Sequence, residues 1–359
     1  MSSLCVFFLL LRLIFTIEEI TIDSNEIQQR NVPRTKKMNY YWNVPTFQCD
    51  SHGMNFTDLA AKFGILQNED DRFRGDEIVI LYDPGSFPAL LNDNTKIIRR
   101  NGGVPQEGNL TLHLTLFEEL VDELIPLEFS GLGIIDFESW RPIFRQNFGK
   151  LAPYKEISIE IEQQSHPFWP KFLIEKEASR RFEFHARRFM EETLYVAENL
   201  RPNATWGYYA YPYCFNMAPN NMKMACPNEV QKENDRIDWL FRLSGNLYPS
   251  VYFESRLSAK EKVQMIEGRV QEAHRVADHG KTKGRTPKVV PYFWYKYHGG
   301  EVFLMKEDVF NAFLTLSTSD VDGVVIWGSS NDVNTKQKCA ELYQYVDNVL
   351  GPNLVNNFE

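Results

Sequence analysis

Two carboxylates stand two residues apart in the segment Gly131-Leu-Gly-Ile-Ile-Asp-Phe-Glu-Ser-Trp140. The apolar residues before them read as a buried strand, and on a strand positions i and i+2 face the same way. Asp136 and Glu138 are therefore expected to share a face. Two acids held close cannot both ionise cheaply, so one retains its proton and becomes a usable acid. Glycoside cleavage needs such a pair: a proton for the leaving oxygen, and negative charge near the oxocarbenium-like carbon. An Asp-x-Glu pattern is also ordinary at an exposed strand end, and spacing alone leaves that reading open.

The aromatic residues favour the sugar reading. Trp206-Gly-Tyr-Tyr-Ala-Tyr-Pro-Tyr-Cys214 and Pro291-Tyr-Phe-Trp-Tyr-Lys-Tyr297 place many flat rings at candidate strand ends. Sugar rings have apolar C–H faces and hydroxyl edges that suit tyrosine and tryptophan. Core packing must account for the other rings. Other chemistries find less support. The five cysteines include no C-x-x-C pair and the seven histidines no H-E-x-x-H, so neither a metal nor a cofactor is expected. A net charge of −9 argues against nucleic acid as a partner, while leaving room for a local basic groove.

Those side chains require a scaffold. At 359 residues, with 43% hydrophobic and 24% charged residues, the chain has a globular composition, which excludes a disordered tail, a collagen-like fibre and a multi-span membrane protein. Seven apolar-aromatic runs read as strands: Tyr40–Val44, Glu77–Tyr82, Leu132–Glu138, Thr205–Tyr211, Pro249–Phe253, Lys288–Tyr295 and Gly323–Trp327. Between the third and fourth, Phe182, Ala186, Phe189, Thr193, Val196 and Leu200 repeat at helical spacing until Arg201-Pro202 ends the pattern. Strands separated by such long crossovers pair in parallel. Without a G-x-G-x-x-G loop, the pattern predicts an α/β fold: a single irregular (β/α) TIM-like barrel of about seven strands. Barrel chemistry sits at the C-terminal strand ends, here Asp136, Glu138, Tyr209, Tyr211, Tyr252 and Trp327.

At this point the chain resembles the insect venom hyaluronidases, members of glycoside hydrolase family 56. The resemblance is carried by Tyr41-Trp-Asn-Val-Pro-Thr-Phe47, Phe73-Arg-Gly-Asp-Glu-Ile-Val-Ile-Leu-Tyr-Asp-Pro-Gly85, Asn101-Gly-Gly-Val-Pro-Gln106, Ile135-Asp-Phe-Glu-Ser-Trp-Arg-Pro-Ile-Phe-Arg-Gln-Asn147, the Trp206–Cys214 run and Ile326-Trp-Gly-Ser-Ser330, and spans roughly residues 38 to 352. It implies an endo-acting hydrolase of β-1,4 N-acetylhexosaminide bonds in hyaluronan, with chondroitin as a further substrate class to test. By the same resemblance Glu138 is the proton donor, and Asp136 orients the substrate N-acetyl group, whose carbonyl oxygen is the internal nucleophile. Tyr209, Tyr252 and Trp327 hold the N-acetyl sugar; Tyr82, Arg141, Arg269 and Ser329 match groove positions. One departure is Asn331, where the bee-like form carries aspartate. Family 18 chitinases also end a motif in D-x-E, but want upstream aspartates where this chain has Gly131 and Ile134. A catalytically silent homologue would usually lack one of the acids or pocket aromatics, all of which are present here.

The ends and cysteines point to export. The apolar run Leu4–Leu11, resuming at Leu13–Phe15, is shorter than the roughly 20 residues that span a bilayer and suits a signal core. Residues 1–17 are read as a signal peptide, 18–37 as a polar leader, 38–352 as the catalytic barrel and 353–359 as a short tail. Sequons at Asn55, Asn109 and Asn203 fit a secreted, extracellular, monomeric glycoprotein. Removal of Cys5 with the signal leaves four cysteines and three pairings. Barrel closure sets the first strand beside the last, which favours Cys49–Cys339 with Cys214–Cys226, as the family resemblance also implies.

Overall fold

The computed structural model describes residues 38–92, 97–281 and 286–355. The expected signal segment, the polar leader and the end of the tail lie outside the described residues. The strands are β1 (Asn39–Asn43), β2 (Ile65–Leu66), β3 (Ile78–Tyr82), β4 (Ala89–Asn92), β5 (Ile97–Arg100), β6 (Leu132–Asp136), β7 (Thr205–Tyr208), β8 (Asn246–Leu247), β9 (Lys288–Val289), β10 (Tyr292–Trp294) and β11 (Gly323–Trp327). The α-helices are α1 (Leu59–Phe63), α2 (Leu110–Leu124), α3 (Ala152–Ser165), α4 (Lys171–Leu200), α5 (Asn228–Arg236), α6 (Asp238–Leu243), α7 (Ala259–His279), α8 (Lys306–Thr318), α9 (Lys336–Tyr345) and α10 (Gly351–Val355).

The fold is α/β with mainly parallel strands, but its hydrogen bonding falls into four sheets rather than one continuous sheet. Strands β10-β11-β1-β2 and β3-β6-β7 form two parallel sheets, β8 pairs β9 in parallel, and β4-β5 is an antiparallel ribbon. A few backbone hydrogen bonds link them. The Gly245 N–H donates to Trp206 O at 2.7 Å, and that of Val251 to Tyr292 O at 2.9 Å. Between β2 and β3 the link is a side chain: Asn68 Oδ1 accepts the N–H groups of Glu77 and Ile78 at 2.9 and 3.0 Å, and Nδ2 donates to Ile78 O at 3.0 Å.

Four expected strands differ; that of Thr205–Tyr211 ends at Tyr208, with Tyr209 making only an isolated bridge to Tyr248. Pro249–Phe253 is irregular, with Ser250 making only an isolated bridge to Tyr292; Pro249 has no N–H to give a ladder. Pro291 likewise divides the expected Lys288–Tyr295 strand into β9 and β10. Strand β6 ends at Asp136, so Phe137 and Glu138 follow it, and the expected continuous strand through Glu138 is corrected. Phe137 turns into the core, stacked on Phe87 at 4.0 Å between ring centres. Helix α4 begins at Lys171, well before the periodic stretch, and buries Ile174 and Ala178 as well as Phe182, Ala186, Phe189 and Thr193.

Three strands share one burial pattern. Along β3, β6 and β11 every residue is buried except the last: Tyr82, Asp136 and Trp327. Apolar side chains hold the strand bodies in the core, and the polar or amphipathic terminal residue emerges at the C-terminal edge. Gly133 lets β6 and β7 come together, since a Cβ there would sit 2.5 Å from the Trp206 ring. Both disulfides join the expected partners, Cys49–Cys339 and Cys214–Cys226.

Candidate active site

Strand register assembles the first part of the site. Tyr82 and Asp136 are paired positions of β3 and β6, and Trp294 and Trp327 are paired positions of β10 and β11. Trp327 Nε1 donates to the Tyr82 hydroxyl at 2.9 Å, which ties the two sheets together across the site. Tyr252 stacks on Trp327 with ring centres 5.7 Å apart and planes 19° apart, and lies 6.2 Å from the Tyr209 ring. These three rings help to line a cavity of about 190 Å³, together with Ile80, Asp136, Glu138, Tyr292, Trp294 and His298. The expected acids and pocket aromatics thus converge.

Burial sets the protonation of the acids. Desolvation, reinforced by the negative charges of Glu138 and Asp83, pushes Asp136 up to about 8. Glu138 is exposed in the open cleft, yet the surrounding protein still raises it above the ordinary carboxylate range; the positive fields of Arg141 and His298 partly oppose this. A pair so arranged carries a proton at neutral pH. Asp83 is itself gripped by Arg100, with contacts of 2.5 and 2.8 Å.

A second cavity, about 300 Å³, adjoins the first and includes Arg141, Tyr213, Ser250, Glu254 and Arg269. Arg141 is caged by aromatic rings, its guanidinium 4.5 Å from the Tyr213 centre, 5.2 Å from Phe215 and 5.3 Å from Phe148, while Nη1 donates to Gln146 O at 2.7 Å. Arg269 donates from Nε to Asn216 Oδ1 at 3.1 Å and from Nη1 to Ser250 O at 2.6 Å. Burial lowers it to about 10, so it remains cationic at neutral pH. The Cys214–Cys226 bond staples the loop that begins just after Tyr213 and carries Phe215. A larger cavity of about 730 Å³ lies among α3, α4 and α5 and contains none of the candidate residues. Among the described residues no cluster of three or more His, Cys, Asp or Glu side chains is arranged to hold a metal ion.

With this geometry in view, comparison with known proteins is decisive. The hyaluronidase profile of glycoside hydrolase family 56 matches residues 27–358. The chain belongs to this family. It is 49% identical over 325 residues to the hyaluronidase of Apis mellifera, covering 90% of this chain and 85% of that one. To the hyaluronidase of Dolichovespula maculata it is 50% identical over 323 residues, covering 89% and 96%. Among solved structures, it matches bee venom hyaluronidase in complex with a hyaluronic acid tetramer with a TM-score of 0.86 at 49% identity, covering 89% of this chain and 98% of that one. A monoclinic crystal form of bee venom hyaluronidase matches with a TM-score of 0.84 at 48% identity, covering 88% and 99%.

Within this hyaluronidase-family chain, Ser329 and Asn331 sit differently from the other candidates. Neither Ser329 nor Tyr82 lines either cavity, but Tyr82 reaches the site through Trp327, whereas the Ser329 hydroxyl accepts the Asn331 N–H at 3.1 Å and caps a short 3₁₀ turn. The exposed Asn331 side chain accepts from Asn334. The acid that organises this loop is the next residue. Buried Asp332 accepts from Trp294 Nε1 and the Tyr295 hydroxyl at 3.1 Å, from the Ser329 N–H at 3.0 Å and from Lys296 Nζ at 2.8 Å. Tyr211 also leaves the site, buried beside Tyr208. Trp294, Tyr213, Glu254, His298 and Asp332 were not singled out from sequence. The Pro291–Tyr297 run carried the signal for Trp294, but composition does not say which ring of a run faces the cleft. The sequon residues Asn55, Asn109 and Asn203 are all exposed.

Proposed function

We propose that this protein is a secreted endo-hyaluronidase that hydrolyses the β-1,4 bond between N-acetylglucosamine and glucuronate by a retaining, substrate-assisted route. The observation that carries the reading is the proton-holding Asp136–Glu138 pair at the edge of an aromatic cavity, in a chain of the hyaluronidase family. The N-acetyl sugar lies among Tyr209, Tyr252 and Trp327. Its amide N–H donates to Asp136, which favours the ionised form of that acid and leaves the proton on Glu138. Glu138 gives this proton to the glycosidic oxygen as the bond from that oxygen to C1 breaks. The acetamido carbonyl oxygen bonds to C1 in its place, forming an oxazolinium-like ring. Water then gives a proton to Glu138 and attacks C1, reopening the ring with net retention. Arg141 and Arg269 meet the uronate carboxylates of the polymer.

The strands are read as one irregular barrel over residues 38–352, supported by the contacts between sheets and by the Asn68 side chain that replaces ladder bonds between β2 and β3. Secretion is supported by the apolar N-terminal run, the exposed sequons and the two disulfides; among the described residues no helix is long and apolar enough to cross a membrane. Incubation of the protein with hyaluronan, followed by identification of the new chain ends, tests the chemistry. A reducing N-acetylglucosamine end is expected. An unsaturated uronic acid end would identify a lyase, and no cleavage would favour a silent homologue.

A further inference from the structure

The two cavities of the cleft share four lining residues: Glu138, Tyr209, Tyr252 and His298. In the proposed reaction the first cavity holds the N-acetyl sugar and the second the leaving uronate. Residues that line both must flank the bond being broken. Three of the four already have roles in the proposed reaction. The fourth, His298, does not.

His298 is held where it is by its backbone. Gly300 N–H donates to Tyr297 O at 3.1 Å across a turn whose third residue, Gly299, has φ +78°, a conformation that favours glycine. His298 N–H donates to Phe253 O at 2.6 Å, fixing the turn to the segment that carries Tyr252. An antiparallel bridge between Lys296 and Phe303 closes the base of the turn, and the Lys296–Asp332 ion pair anchors it. The imidazole is exposed at the rim, its centre 6.4 Å from the Tyr252 ring and 6.5 Å from the Trp294 ring. The charged groups around it are Glu138 and Asp136 on one side and Arg141, Arg269 and Glu254 in the adjoining cavity.

An anionic sugar entering the second cavity meets the carboxyl groups of Glu138 and Glu254, with Asp136 in the adjoining first cavity, so it needs donors close to the cleaved bond. Arg141 and Arg269 each already spend donors on protein carbonyl and amide oxygens. An imidazole keeps at least one N–H donor in either charge state. We infer that His298 is a leaving-side specificity residue, donating a hydrogen bond to the carboxylate of the uronate that departs from Glu138. This inference rests on the hyaluronan reading above.

The test compares wild type, His298→Ala and His298→Gln on hyaluronan and on hyaluronan whose carboxylates are fully methyl-esterified. Folding of each variant is checked by its thermal transition. A hydrogen bond to a charged group predicts that His298→Ala raises KM for hyaluronan about tenfold or more, with kcat changed far less. Glutamine, which keeps a donor, should restore most of that loss. On the esterified polymer, read as a substrate or, where it is not cleaved, as a competitive inhibitor, alanine should change affinity less than twofold. A KM for hyaluronan within twofold of wild type, or an equal loss on both polymers, overturns the assignment. Failure of wild type to cleave hyaluronan would instead overturn the functional reading.

Discussion

Replacing Asp332 with asparagine should loosen the wall of the site and weaken the fold together. The Asp332 and Lys296 side chains are each 4% exposed and 2.8 Å apart, and the same carboxylate also serves Trp294, Tyr295 and the Ser329 N–H. Asparagine fills the same volume but carries no charge and only one acceptor oxygen. Of its two carboxylate partners Lys296 would keep Glu301, at 3.3 Å and 71% exposed, beside its contact with the Phe303 ring at 5.1 Å. Breaking one side of a buried pair costs about 3–5 kcal/mol, and an exposed partner such as Glu301 returns roughly 0–1 kcal/mol. The expected net loss is about 2–5 kcal/mol, which at urea slopes of about 1–3 kcal/mol/M moves the midpoint by roughly 0.7 M or more. Urea unfolding followed by tryptophan fluorescence measures it. Because Trp294 lines the sugar cavity, KM for hyaluronan should rise in native buffer as well. A loss below 1 kcal/mol with unchanged KM would show that this carboxylate neither holds the fold nor positions the tryptophan.

Glu138→Gln keeps the side-chain shape but cannot act as an acid; kcat should fall at least 100-fold with KM little changed, and a variant retaining a tenth of wild-type turnover would refute the proton-donor role. Buried Asp71, which accepts from Thr46 Oγ1 at 2.9 Å, is raised to about 7 by desolvation. Its folded form therefore binds more protons than the unfolded chain between about pH 4 and 7, and stability should fall as pH rises through that window, by up to about 4 kcal/mol. Asp71→Asn should flatten this slope in urea titrations at pH 5 and 7.5; an unchanged slope would remove Asp71 as its source. Arg141→Met with Arg269→Met should raise KM and flatten its salt dependence, and an unaltered salt response would mean that the groove binds through rings and hydroxyls. Non-reducing peptide maps of the secreted protein should join Cys49 to Cys339 and Cys214 to Cys226.

The strands most easily read from the sequence are those whose apolar runs are unbroken: β3, β6 and β11 each bury four consecutive residues. Two-residue strands such as β2 and β8 carry no period to detect, and prolines at 249 and 291 interrupt runs whose composition otherwise looks like strand. The acids were legible because the Asp-x-Glu pair closes an apolar run and the chain also carries aromatic-rich runs that suit a sugar; the spacing alone left an exposed strand end open. Register explains why Trp294 was not, and His298 was hidden because a turn fixed to Phe253 O brings it to the cleft. Whether a ring faces the cleft depends on which strand lies beside it, here β11 beside β10. Asp332 was hidden for a related reason: apart from the Ser329 N–H, its partners lie 36 to 38 residues away and meet it only through the tertiary fold.

The pairing of β1 with β11, Asn39 opposite Gly323, also decides the order in which the molecule can be made. Among the described residues, the first strand to leave the ribosome is completed by the last. At about 5–20 residues per second, the edge bearing Tyr40 and Trp42 waits roughly 15–60 s for its neighbour. Through that interval the Cys49 thiol has no native partner, because Cys339 is synthesised later still. The early chain must therefore be sheltered from mispairing, both of its strand edge and of its thiol. Faster translation should shorten that exposure and raise the yield of correctly bonded protein.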